Sequence, residues 1–491
     1  MLNSKNKINT LYYSIISFIE KYYLIFFALI MAVVGYICFK NLGISPVQDW
    51  DEARHGVSAY EMFKNNEYVV NTYNYSNDYW NLKPPMSFWA IIMSFKIFGV
   101  SIFSMRLYSA VSIFMTISIS GLFIGKKYGK LEALIALTFF AASSPLYLSH
   151  MGRSGDADAM FVLFFTLSMI SMMYIEKTKN ALYFSGFFFS LAFLTKSWHA
   201  FSIVAIGGLF LLFTGEIKNI KIKQWIAFLS SFIIPILTWM VARIYKDGTY
   251  FLTEMVRYDL LERSKNPLEG HTGSVWFYFR SILDSNKSII ITIVVIMILS
   301  LILYYRDIKI KEYDTIALIL WIGIPFALFT YAKTKIAWYI LPVYIPMYIV
   351  ASRALGKIIK GKKLFLIIKL GIIFLVLITS AKQVKVNILA VKYPGIDGVQ
   401  NFITQNVAKH KEIYNSKAYI QIENAQWLQS RLLVAEFSAD LICQDGGIEE
   451  FIKEQENSII IISEDNYNKN KDITTKLEIL EKDNGLYLLI K

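Results

Sequence analysis

The chain has 491 residues, is 55% hydrophobic and 16% aromatic, and carries 50 Lys and Arg against 37 Asp and Glu, a net charge of +13. Its mean hydropathy of +0.44 is more than a soluble globular protein tolerates, and the aromatic content suits rings anchored at two membrane interfaces. The positive charge forms no single patch; Lys and Arg fall between apolar runs, which marks membrane topology and argues against nucleic acid as a partner.

In chain order, residues 11–22 predict a short amphipathic helix in the membrane interface. The apolar run 23–39 is longer than a signal-peptide core, and no small-x-small cleavage site follows it before Lys40 and Asn41, so it reads as an anchor that stays. A spanning helix needs roughly 20 mostly apolar residues. Candidate spans centre near Ala32, Ile113, Leu137, Leu167, Phe188, Leu209, Phe232, Val294, Leu320, Tyr344 and Phe374. The expected fold is an α-helical polytopic membrane protein with about 11–13 transmembrane helices of that length.

The connections alternate in character. Segments 126–130, 176–179, 218–223, 306–311 and 353–363 are short and basic, and with Lys5 and Lys7 they mark a cytoplasmic side. Segments 42–85, 150–158, 195–199, 245–287 and 333–338 hold everything unusual and fall on the opposite side. The membrane domain is expected over 1–390, with outer loops 42–106 and 244–287. An odd number of spans places the tail, 391–491, outside the cell membrane. Its polar pattern predicts a small soluble α/β domain, with helices over 395–410 and 448–455 and strands at 458–462 and 486–490. Cys38 lies in the first span and Cys443 in the tail, a spacing that yields neither a disulfide nor a metal pattern.

The chemistry-bearing residues lie on the outer side. Asp49-Trp50-Asp51-Glu52-Ala53-Arg54-His55 opens the first loop and runs into a helical stretch over 52–64. Asp51 is either the cap of that helix or a general base in a water-poor site; Glu52 is the acid beside it. Lys83, on the stiff turn before Pro84-Pro85, either snorkels or is aimed at a phosphate oxygen. The turn from His150 to Asp158 carries Arg153, Asp156 and Asp158; a local salt bridge uses one carboxylate and leaves the other over. Lys196 and His199, and Lys333 and Lys335 ahead of Trp338-Tyr339, are basic groups where the positive-inside rule disfavours them. They either snorkel or meet an anionic headgroup. Glu269-Gly270-His271 offers a hydrogen-bonded pair or two ligands of a divalent metal that needs a third group from elsewhere. No P-loop, dinucleotide fingerprint, H-E-x-x-H or G-x-S-x-G is present, so nucleotide and serine-hydrolase chemistry lack support.

Taken in order, Asp51-Glu52-Ala53-Arg54, Lys83-Pro84-Pro85, Arg153 through Asp158, Thr195-Lys196, Glu269-Gly270-His271, and Thr334-Lys335 followed by Tyr339-Ile340-Leu341-Pro342 resemble the signatures of one group. These are the GT-C glycosyltransferases, polytopic enzymes that use lipid phosphosugars. They include the dolichyl-phosphate-mannose–protein mannosyltransferases and the aminoarabinose transferases that modify lipid A. The match covers roughly residues 20 to 385.

The resemblance implies inverting transfer of a hexosyl or pentosyl group from a polyprenyl phosphate to a protein, lipid or glycan acceptor on the extracytoplasmic face. By that resemblance Asp51, with Glu52, matches the first-loop acid of the catalytic centre, and Asp158 the second outer-loop carboxylate. Lys83, Arg153 and Lys335 stand where cations contact the lipid phosphate or shape its pocket, alongside Asp156, Lys196, His199, Lys333 and Tyr339. One departure is visible. Where some relatives have an acid before Lys-Pro-Pro, this chain has Leu82, which deprives a metal site of that ligand. The competing reading is a transporter or flippase for a lipid-linked or anionic substrate. That class places its charges near mid-membrane on broken helices of repeated halves, whereas here they collect at one boundary.

Overall fold

The computed structural model describes residues 2–148, 150–307, 312–413, 417–454 and 457–491, with the backbone alone for 2–8. The basic residues Lys309 and Lys311, the side chains of Lys5 and Lys7, and Gln455 lie outside the described residues.

Helix α1 (Leu2–Lys21) meets α2 (Tyr23–Phe39) at a bend of 70°. It leaves Leu11, Ile15 and Phe18 exposed while Tyr12 turns inward and donates to the Ile359 carbonyl at 3.1 Å. That division of faces is what an interfacial helix requires. Next come α3 (Asp51–Lys64), a hairpin of β1 (Thr72–Tyr73) and β2 (Ser76–Asn77), and α4 (Met86–Phe98). The bundle continues with α5 (Ile102–Lys127), α6 (Lys130–Ala141), α7 (Asp158–Met172), α8 (Ala181–Lys196), α9 (Phe201–Thr214) and α10 (Ile222–Asp247). A loop region follows, with α11 (Tyr250–Glu254), a π-helical turn (Met255–Glu262), α12 (Arg263–Lys265) and α13 (Phe277–Ser285). The last membrane helices are α14 (Lys287–Tyr304), α15 (Tyr313–Tyr331), α16 (Tyr344–Lys360) and α17 (Leu366–Lys392).

Every predicted span centre falls on one of these helices. Among the described residues seven helical stretches are long and apolar enough to cross a membrane by themselves, or eight if the bent α1–α2 pair is one span. Other helices of the bundle are shorter. Helices α6 and α7 have 12 and 15 residues, roughly 18 and 22 Å at 1.5 Å per residue, against a hydrocarbon core of about 30 Å. They stop short where the chain leaves the helix to form the turn at 142–157. The stretch Ala181–Thr214 folds back on itself: Lys179, before α8, forms an ion pair with Glu216, after α9. Ser197, at φ +43°, breaks the helix at the tip of that pair.

The two ends of the bundle differ as the alternating loops predict. At one end Lys127 pairs with Asp314, Lys360 with Glu20 and Glu132, and Lys357 with Asp307. The other end carries α3, α4, the long loop and the C-terminal sheet.

That sheet is five-stranded, in the order β4 (Ile442–Cys443), β3 (Lys417–Gln421), β5 (Ile459–Ser463), β7 (Leu486–Ile490), β6 (Glu478–Asp483). Strand β3 pairs in parallel with β4 and β5, and β7 runs antiparallel to β5 and β6. Ile459 and Ile461 join the core beneath α18 (Gly398–Gln405) and α19 (Gln429–Ala439), whereas Ile460 and Ile462 pack on the far face. Burial on both faces explains the unbroken Ile run.

The module is docked on the outer segment by direct bonds. Val47 and Gln400 exchange two hydrogen bonds of 2.9 Å, Ser430 N–H donates to Asp49 at 2.9 Å, and Tyr60 O–H donates to Asp440 at 2.8 Å. Val57, Phe95 and Met105 share one apolar core with Leu432 and Leu433. Both cysteines are buried and free.

Candidate active site

Asp51 is the first residue of α3, and it does not cap that helix; Trp50 holds the cap position without a side-chain bond. Its carboxylate instead receives Lys83 Nζ at 3.2 Å. The lysine's position follows from Pro84 and Pro85, which stop the chain from turning helical until α4 begins at Met86. Lys83 Nζ also lies 3.3 Å from Asp156, whose second oxygen is 3.2 Å from His150 Nδ1; that nitrogen is 3.7 Å from Asp51. His150 is held flat against Trp338, ring centroids 3.6 Å apart. Four residues from three segments thus form one closed set of charge contacts.

Burial of Lys83 works against its charge, but Asp156 and Asp51 outweigh it and hold the ammonium above its ordinary range. Burial likewise opposes the charged forms of His150 and Asp156. Bonding to Asp156 raises the imidazole, and the Lys83 charge with the His150 bond takes Asp156 well below the usual carboxylate range. Lys83, His150 and Asp156 therefore favour their ionised forms.

Asp51, Lys83 and His150 line a cavity of about 610 Å³ together with Lys196, His199, Arg263 and Tyr339, among others. Arg263 lies 3.0 Å from Asp259 and 3.2 Å from Glu269, and its Nη1 is 3.5 Å from the Tyr339 hydroxyl. The π-helical turn carries Asp259 and Tyr258 to this wall, where Ser197 donates to Asp259 and Tyr258 to Glu269, each at 2.9 Å. His199 packs edge-on against Tyr339 at 4.3 Å. A second, apolar cavity of about 280 Å³, lined by Pro145, Leu148, Leu341 and Tyr344, shares Trp338 with the first.

Comparison with known proteins gives three results. A model of the family described as dolichyl-phosphate-mannose-protein mannosyltransferase matches residues 82–241, a stretch that includes Lys83, Asp156 and Lys196. An uncharacterized protein of Aquifex aeolicus is 26% identical over 329 residues, covering 66% of this chain and 63% of its own length. The undecaprenyl phosphate-α-4-amino-4-deoxy-L-arabinose arabinosyl transferase of Shewanella sediminis is 25% identical over 325 residues, 64% of this chain and 57% of the relative. The chain thus spans less than two thirds of either relative. The crystal structure of ArnT from Cupriavidus metallidurans bound to undecaprenyl phosphate shares the fold, with a TM-score of 0.70 at 15% identity over 94% of this chain and 97% of that one. By these matches the chain is similar to GT-C glycosyltransferases of the mannosyltransferase and aminoarabinose transferase type.

Measured against the expectations for a GT-C chain, the outer-side residues divide into three sets. Asp51, Lys83, Lys196, His199 and Tyr339 face the cavity, and Asp156 stands directly behind Lys83 and His150. Asp158 is one step further back. It is 2% exposed and holds Lys196 in an ion pair, so the carboxylate next to Lys83 is Asp156.

The third set lies elsewhere. Glu52 is 1% exposed and clamps Arg106. Arg153 donates to the carbonyls of Ile37, Cys38 and Asn41, the frayed end of α2, and forms no bridge to a neighbouring Asp. Lys335 turns back onto the carbonyls of Phe329, Thr330 and Ala332 at the end of α15. Lys333 is exposed and outside the cavity wall. Cations just past a helix end satisfy carbonyls that have no partner within the helix, and that demand accounts for Arg153 and Lys335.

Glu269 and His271 are 3.9 Å apart, with Glu269 engaged by Arg263 and Tyr258. Among the described residues the triad able to hold an ion is Asp51, His150 and Asp156. There the Lys83 ammonium takes Oδ1 of each carboxylate, while their Oδ2 atoms face His150 Nδ1, so these three residues are the ones that would hold an ion. Sequence reasoning passed over His150, Arg263, Asp259 and Arg106. The only available signal for His150 was its place six residues before Asp156 in the same turn.

Proposed function

We propose that this chain transfers a sugar from a polyprenyl phosphate to an acceptor on the extracytoplasmic side of the cell membrane, with inversion at the anomeric carbon. The observation that carries this reading is the meeting of Asp51, Lys83, His150 and Asp156 at one end of the bundle, in a cavity that also presents Arg263 and Tyr339. The opposite end holds the basic loops, which the positive-inside rule assigns to the cytoplasm. The family match over residues 82–241, the similarity to undecaprenyl phosphate-dependent arabinosyl transferases and the ArnT-like fold support a lipid-linked donor.

The chemistry follows from the geometry. The donor phosphate lies against Arg263, Tyr339 and Lys83, and its prenyl chain leaves along the apolar cavity at Trp338. The Asp51 carboxylate accepts the proton of the acceptor hydroxyl or amine as that atom attacks the anomeric carbon. The carbon–oxygen bond to phosphate breaks on the opposite face, and the electron pair leaves on polyprenyl phosphate. Cations fixed at the position where that charge develops need no reorganisation. Protein, lipid and glycan acceptors, and hexosyl and pentosyl donors, are all compatible with this step.

The test is reconstitution of the purified chain with lipid-linked sugars and envelope acceptors extracted from its own cells. Release of free polyprenyl phosphate is expected, which also separates transfer from flipping. Asp51→Asn should abolish release while undecaprenyl phosphate still binds; full activity in that variant removes Asp51 from the centre.

A further inference from the structure

Two tryptophans flank the Asp51 side of the cavity, and neither is explained by packing. Trp50 is 63% exposed and Trp80 39% exposed; their rings lie 5.9 Å apart at 41°, and both line the cavity wall beside Asp51. Trp50 occupies the cap position of α3 at φ +66° and ψ −112°. A residue with a side chain is strained there, and Gly would take that backbone at less cost. The penalty brings no compensating burial, and breaches of that kind gather at functional sites.

Trp80 is held from behind. Arg54 lies over its ring at 4.7 Å and over Tyr73 at 4.0 Å. That guanidinium is fixed by two bonds to Asp78, 2.8 and 3.0 Å, and Asp78 also accepts the Trp80 backbone N–H at 2.9 Å. The indole is therefore presented in one orientation. A girdle of interfacial aromatics accounts for rings such as Trp276, 61% exposed and away from the cavity; it does not account for a rigid pair on the wall next to a carboxylate.

Resting on the transferase reading, we infer that Trp50 and Trp80 form the acceptor subsite, and that the acceptor is a carbohydrate whose ring stacks on these indoles. The apolar C–H face of a pyranose matches an exposed indole face, and the sugar hydroxyls remain free to reach Asp51. Asn81 and Asp49, on the same wall, supply polar partners. Arg263 and Tyr339, two of the three proposed donor-phosphate contacts, belong to other segments than the tryptophans, and Lys83 stands between the two subsites.

The experiment is saturation-transfer NMR on the full chain in detergent, with chitotriose, maltotriose and a Ser/Thr-rich peptide as probes, and undecaprenyl phosphate binding followed in parallel. At least one oligosaccharide should bind. Trp50→Ala and Trp80→Ala should weaken it about tenfold or more, the scale of a lost stacking contact, while undecaprenyl phosphate affinity is unchanged. Trp50→Phe and Trp80→Phe should largely restore sugar binding. Loss of undecaprenyl phosphate binding in the wild-type chain would count against the transferase reading itself. With that binding intact, the subsite is overturned if neither oligosaccharide binds, if sugar binding ignores both tryptophans, or if only the peptide depends on them.

Discussion

Arg106 and Glu52 form a buried two-bond ion pair, Nε to Oε1 at 2.6 Å and Nη2 to Oε2 at 2.9 Å, with both residues 1% exposed. The remaining guanidinium donors reach the carbonyls of Leu42, Ser45 and Pro46, while Glu52 accepts from the backbone of Gln48 and Gly155. One pair thus joins the loop after α2, the start of α3 and the turn that holds His150 and Asp156. Removing one partner strands a buried charge, at a cost of about 3–5 kcal/mol. Arg106→Ala and Glu52→Gln should therefore lower the melting temperature in detergent markedly and lose activity along with the fold. Wild-type melting in either variant would mean the clamp carries no such weight.

Lys83 calls for a different outcome, because it holds both Asp51, the proposed base, and Asp156. Lys83→Gln should reduce turnover about 10²- to 10³-fold, as loss of a preorganised donor does, and weaken undecaprenyl phosphate binding. Lys83→Arg should not restore the rate, since a planar fork cannot replace a compact ammonium between two carboxylates. The check is turnover and lipid-phosphate affinity measured on the same folded preparations; an active Lys83→Gln chain would refute the assignment.

Much of this site was legible because the loops alternate. Once Lys126, Lys179 and Lys218 mark one side, Asp51, Lys83, Asp156 and Lys196 must share the other, whatever their separation in sequence. Pattern alone could not say which cation faces solvent and which faces a helix end. Arg153 and Lys335 follow the last turns of α2 and α15 in space, and only the folded backbone reveals those carbonyls. Arg263 was hidden for another reason: it follows a π-helical turn inside a long loop with no hydrophobic period to register it. Apolar content likewise marks α6 and α7 as buried without revealing that they are short.

Lys335 and Arg263 therefore make a paired test. Lys335→Met removes a cation from the C-terminal end of α15, worth roughly 1 kcal/mol of stability, and should leave undecaprenyl phosphate affinity unchanged. Arg263→Ala should do the reverse, weakening the lipid phosphate by tenfold or more, the scale of a lost charge-assisted bond, with little change in melting. A drop in phosphate affinity for Lys335→Met would return that lysine to the binding site.

The contact between α3 and α19 should depend on pH. Glu61 and Glu436 are 0% and 1% exposed, and Glu61 Oε1 and Glu436 Oε2 are buried without a hydrogen-bond partner among the described residues, an arrangement that disfavours charge on both carboxyls. Burial first, then the charge of Glu61, raises Glu436 well above the usual carboxylate range. Glu61 is raised by burial, partly offset by Thr72 and the backbone at Tyr75 and Asn74. Tyr60, Lys64 and Asp440 complete the surroundings, with Lys64 paired to Asp440 at 2.7 Å. Since the docked state holds the proton more tightly, its contribution is complete below the free carboxylate value of about 4.3. It is lost as pH rises through the raised value. Amide exchange in α19 should accordingly quicken as pH is raised, after correction for the intrinsic exchange rate. Glu436→Gln, which keeps a donor without needing a proton, should flatten that profile; identical profiles for the two chains would show that the carboxyl pair does not govern docking.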